Sequence, residues 1–124
     1  MNKYVIMLIA LSVLLSAFAQ IALKAGMSSV PVLQALQATP GFPAVRAIAT
    51  NFFVLFGLTL YFASAAVWLL VLARVDVSLA YPFVGLGFIV TMLLAWLIHG
   101  EVLTLAKVAG TLLIAFGVIV LARG

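Results

Sequence analysis

The chain has no cysteine, two acids, Asp76 and Glu101, and one histidine, His99, among 124 residues. Lacking cysteine, it can form no disulfide, thiolate zinc site or cysteine nucleophile. His99 has no second His or Cys at ligand spacing, so no metal is expected, and no other cofactor. There is no Walker-type loop, and the one Gly-x-Gly, Gly85 to Gly87, lacks the remaining glycine of a dinucleotide fingerprint. No residue set suggests an enzyme. Charge of either sign is scarce: six Lys or Arg residues make a net charge of +4, and only 6% of residues are charged. That charge is too scattered for a nucleic-acid footprint, which needs a clustered basic face.

What is present is hydrocarbon. Apolar residues make up 69% of the chain, against about half in ordinary globular domains, so the expected class is an all-α membrane protein. Stretches long enough to cross a bilayer, about 20 residues of helix, run over 4–23, 52–73, 79–98 and 105–122 within a single domain, 1–124. Between the first two lies a polar loop, 26–51, containing Pro31, Pro40, Gly41 and Pro43. Its 31–38 portion suits a short interfacial helix with proline in the first turn. Lys3, an apolar core and Ala17-Phe18-Ala19 also resemble a signal peptide. The apolar run continues through Leu23, which favours a first membrane helix.

Four spans put both termini on one side, with Lys3, Arg74 and Arg123 there and Lys24, Arg46 and Lys107 on the other. The positive-inside rule therefore gives a tie, as expected of an antiparallel dimer or of a chain oriented by a partner.

A polar ladder climbs the first span: Ser12, Ser16, Gln20 and Lys24 are spaced four apart and share one face of a helix. Polar groups in a membrane helix are costly against lipid, so this face should meet protein or a wet cavity, with the charged member a site candidate. Lys24 suits a phosphate, and Arg46 can join it or contact lipid headgroups. Tyr61, Ser64 and Trp68 mark a possible second wall. In the third span Pro82 and Gly85 predict a bend, because proline lacks a backbone donor and glycine a side chain; Tyr81 beside it can reach a ligand or anchor at the interface. Gly110 and Gly117, seven apart on the last span, form a candidate dimer contact. Arg74 and Asp76 suit helix-end caps. Glu101 either accepts hydrogen bonds from the next helix or faces a cavity mouth.

With Ser16-Ala-Phe-Ala-Gln20 and Lys24, then Trp68-Leu-Leu-Val-Leu72, then Val77-Ser-Leu-Ala-Tyr-Pro82, the chain resembles small four-helix members of the drug/metabolite transporter superfamily (small multidrug resistance or EamA-like). It is most similar to the subunits that flip aminoarabinose-phosphoundecaprenol. The resemblance excludes the 26–51 loop. Small multidrug exporters carry a glutamate in the first span, and this span has no acid, which turns the expectation from cationic drugs to an anionic headgroup.

The resemblance implies a dimeric flippase of the bacterial inner membrane that moves an undecaprenyl-phosphate-linked sugar for lipopolysaccharide modification. Lys24 and Arg46 would hold phosphate, and Gln20, Ser16, Tyr81 and Glu101 the sugar. The implied partners are a polyprenyl-phosphate lipid substrate, membrane lipids and a second copy or related small subunit. Two other readings stand beside it: a proton-coupled exporter of small cations or metabolites using Glu101, and a non-transporting subunit of a larger complex.

Overall fold

The computed structural model describes residues 3–38 and 41–123; Pro40 lies outside them. The elements, in order, are α1 (Lys3–Met27), α2 (Val30–Ala38), α3 (Phe42–Ala49), α4 (Phe52–Leu72), α5 (Val77–Ala80), a 3₁₀ turn (Tyr81–Phe83), α6 (Val84–His99) and α7 (Leu105–Arg123). Four stretches are long and apolar enough to cross a membrane: Lys3–Met27, Phe52–Leu72, Val77–His99 and Leu105–Arg123. Large apolar side chains such as Met7, Phe62, Leu97 and Phe116 point outward from these helices. That is how a helix that is hydrophobic all round behaves when lipid is its solvent.

The helices pack mainly in the order α4, α1, α6, α7. α1 and α4 approach most closely where α4 carries Gly57: a Cβ there would lie 2.8 Å from Leu23 Cγ and 3.0 Å from the Leu23 backbone nitrogen. Midway along the same pair, Ser12 Oγ donates to the Ser64 carbonyl at 3.0 Å and Ser64 Oγ donates to the Ser12 carbonyl at 2.9 Å. Each hydroxyl thus satisfies itself on the opposite backbone, which apolar surroundings would otherwise make expensive. α6 meets α1 at Gly87, where a Cβ would be 3.0 Å from Val13 Cγ1. α7 leans on α6 through Ile114, whose Cγ2 would lie 2.6 Å from a Cβ at Gly85.

The 26–51 connection holds two helices rather than one. α2 covers the expected interfacial helix; α3, which was expected as loop, follows Gly41 at φ 131° with proline in its first turn. Proline suits that position because its missing N–H would have no intrahelical partner. The connection is tied back at its base. Asn51 caps α4 by accepting from Val54 N–H at 3.2 Å, its amide donates to Ser29 Oγ at 3.0 Å, and Ser29 Oγ donates to the Gly26 carbonyl at 2.7 Å.

At the opposite membrane end, the Arg74 guanidinium lies over the Tyr4 ring, 4.7 Å from its centroid. Asp76 stands at the N-cap of α5, yet its carboxylate makes no capping hydrogen bond; its carbonyl accepts from Leu79 and Ala80 instead. The third span is interrupted by the 3₁₀ turn that holds Pro82, and Gly85 falls just beyond it in regular helix.

Candidate functional site

A groove of about 750 Å³ lies along α1, bounded by α4 on one flank and by α6 and the start of α7 on the other. Tyr81 and Ala95 both line it, which at 1.5 Å rise per residue places them about 21 Å apart along the helix axis. Glu101 and Lys107 lie beyond, at the end where α1 and α6 finish and α7 starts. The groove therefore covers most of a hydrocarbon core about 30 Å thick.

Its mouth is shaped by one short connection. Gly100 takes the left-handed conformation, φ 66°, and Glu101 N–H reaches back to the Ala95 carbonyl at 3.3 Å. Gly100 N–H reaches the same carbonyl, so α6 ends at a left-handed glycine with two successive amides folded back on Ala95. His99 Nε2 is 3.2 Å from the Ile21 carbonyl; a carbonyl only accepts, so the contact needs the proton on Nε2 and pins the end of α6 to α1. Thr104 Oγ1 accepts from Lys107 N–H at 3.1 Å, the geometry of an N-cap. The cap of α7 is thus Thr104, and Glu101 is left facing the groove.

The polar side chains of the wall fall into two groups. Ser12 and Ser64 are spent on each other's helix, and Thr111 Oγ1 donates to the Lys107 carbonyl at 2.7 Å. Ser16, Gln20, Tyr81, Glu101 and Thr91 line the groove and make no side-chain hydrogen bond or ion pair among the described residues. Tyr61 and Trp68, on α4, line it as well. Unsatisfied polar groups facing a space inside a membrane helix bundle are what a passing polar ligand would need.

Of the residues singled out in the sequence, Ser16, Gln20, Tyr81 and Glu101 thus come together. Lys24 and Arg46 do not join them: both are exposed and neither is among the lining residues. For Lys24 the cause is geometric. With 3.6 residues per turn, each four-residue step rotates the stripe by about 40°, so Lys24 is turned about 120° away from Ser12. Gly110 and Gly117 have nothing within 4 Å of where a Cβ would stand, so α7 leaves them uncovered within the chain. Thr91, Thr111 and Lys107 are polar lining residues that sequence reasoning passed over, Lys107 having been counted only toward orientation. For Lys107 a signal existed, because a cation in the first turn of a helix opposes the helix dipole.

A membrane-length groove lined with unspent polar groups, in a chain of four apolar spans, defines a small multi-pass membrane transport protein. No family model matches the chain, and no solved structure does. Among curated proteins, a probable 4-amino-4-deoxy-L-arabinose-phosphoundecaprenol flippase subunit ArnF of Erwinia tasmaniensis is 34% identical over 116 residues, covering 89% of this chain and 87% of the relative. A probable subunit ArnE of Pseudomonas savastanoi pv. phaseolicola is 34% identical over 82 residues, 66% of this chain and 72% of the relative. That of Pseudomonas paraeruginosa is 43% identical over 58 residues, 47% of this chain. In this last match the chain spans half (50%) of the length of the relative. With most of its length aligned to the Erwinia subunit, the chain belongs to the family of 4-amino-4-deoxy-L-arabinose-phosphoundecaprenol flippase subunits.

Proposed function

We propose that this chain is one subunit of a carrier that moves an undecaprenyl-phosphate-linked sugar, of the aminoarabinose kind, between the leaflets of a bacterial inner membrane for envelope modification. The observation that carries the reading is the groove itself: Ser16, Gln20, Tyr81, Thr91 and Glu101 present free polar groups along a path about as long as the bilayer is thick. A phosphate and several hydroxyls cannot cross hydrocarbon without replacement hydrogen bonds, and these groups supply them while the prenyl tail stays in lipid. Near the mouth Gln20 and Ser16 hydrogen-bond the sugar and Glu101 receives its amine, while Tyr81 meets the headgroup at the far end of the groove. Lys24 and Arg46, both exposed and outside the lining of the groove, have no part in holding the headgroup.

The working unit is a dimer, with a second copy or a related small subunit. α4 and α7 are the outer members of the helix row, and Gly110 and Gly117 offer a face against which another helix can pack closely. The names of the relatives, each a flippase subunit, support a paired assembly. The test is reconstitution of the chain, alone and with a related subunit, in liposomes holding a labelled polyprenyl-phosphate sugar. Transfer between leaflets should rise above that of empty liposomes. Transfer equal to the empty control in both arrangements would refute the carrier reading.

A further inference from the structure

Lys107 is the third residue of α7, and the first turn of that helix contains no acid. A cation there faces the positive end of the helix dipole, so the placement opposes helix stability. Its ammonium donates to the Val102 backbone carbonyl at 3.0 Å, the one partner of that ammonium among the described residues. An ammonium has three donors, which leaves two for a ligand. Among the described residues Lys107 is also the one cation that lines the groove, where it shares the mouth with Glu101 and Gln20.

Lys107 is exposed at the mouth, where one hydrogen bond to the Val102 carbonyl holds its ammonium and the Thr104 cap holds its backbone. An anion bound there would answer both the ammonium and the unopposed start of α7. Glu101, on the same connection, gives the mouth an opposite charge, so the pair suits a ligand carrying an anionic and a cationic group a few atoms apart.

We propose that Lys107, not Lys24, is the phosphate seat of the groove, binding the phosphate ester of a polyprenyl-linked headgroup while Glu101 takes a cationic group on the same headgroup. This rests on the carrier reading above and adds to it the residue that selects for phosphate.

The test uses the full chain in detergent, titrated with undecaprenyl monophosphate and, as a neutral control, undecaprenol, with bound lipid read by native mass spectrometry. Lys107→Gln should weaken phosphate-lipid binding by about tenfold or more, as loss of a charge-assisted hydrogen bond implies. It should leave undecaprenol binding unchanged, which also shows that the variant is folded. Lys107→Arg should restore most of the phosphate binding, and Lys24→Gln should bind as the parent does.

Inorganic phosphate and phosphatidylglycerol vesicles should fail to compete. Competition by either would overturn the assignment to a polyprenyl phosphate ester. Parent-like phosphate binding by Lys107→Gln, or an equal loss in Lys24→Gln, would overturn the role of Lys107 alone. A parent protein that binds no phosphate lipid, either alone or together with a related subunit, would overturn this proposal and the carrier reading together.

Discussion

The first two spans and the last two are built differently. Within the most apolar stretch of α1, 33% of residues are buried inside the chain, against 11% for each of the spans Val77–His99 and Leu105–Arg123. α1 and α4 meet backbone to backbone at Gly57 and Gly26 and exchange hydrogen bonds at Ser12 and Ser64. α7 buries only Val118. The contrast teaches that the α1–α4 pair carries the chain's own stability, while α7 keeps its surface for something outside the chain. In lipid, where apolar burial offers no drive between helices, close small-residue packing and interhelical hydrogen bonds are the available glue. Both are concentrated on one side of the groove.

The largest expected effect comes from setting the two glycine faces against each other. Gly57→Val places a Cβ against the Leu23 side chain and backbone nitrogen, and overpacking of this kind costs about 1–3 kcal/mol. Thermal melting in detergent should show a clear drop in midpoint. Gly110→Leu with Gly117→Leu meets open space within the chain, so the midpoint of the dissociated subunit should hold while cross-linked dimer in membranes falls. Equal melting losses from both sets would erase the distinction between the two halves.

A smaller effect is expected from the serine pair. Interhelical hydrogen bonds in membrane proteins contribute about 0.6 kcal/mol on average, so Ser12→Ala and Ser64→Ala should each lower stability by roughly 0.5–1.5 kcal/mol. Because the two hydroxyls lie 3.3 Å apart and serve the same junction, the double variant should lose less than the sum of the singles. Strict additivity would mean that the two bonds act independently.

The smallest lies at the far end, where Arg74 covers Tyr4. An exposed cation–π contact is worth about 0.5–1 kcal/mol. Tyr4→Leu should shift melting slightly and leave phosphate-lipid binding untouched; a loss of binding would extend the functional surface to that end.

The spans were legible because hydropathy and length alone decide them, and the place of Ser16 and Gln20 on the wall of a groove because a polar stripe on an apolar helix avoids lipid. The top of the ladder misleads: spacing of four looks straight on paper but drifts around the helix, so Lys24 leaves the face that Ser16 and Gln20 keep. α3 was hidden because Gly41 and Pro43 read as loop when they in fact open a helix. Glu101 was ambiguous until Thr104 proved to be the cap. Lys107 was overlooked because a charge near a helix start reads as topology, and only the packing of α6 against α7 brings it to the groove.

The exchange between Ser12 and Ser64 also divides the passage. Both hydroxyls line the groove at one level, yet their protons are already committed to backbone carbonyls. A headgroup travelling from Glu101 and Lys107 toward Tyr81 would leave a well-solvated berth, cross a level where those hydroxyls have no proton to offer, and reach a second berth beyond. The toll of transit would fall at that waist, so the rate of crossing would be governed by a bond whose evident task is to hold two helices together.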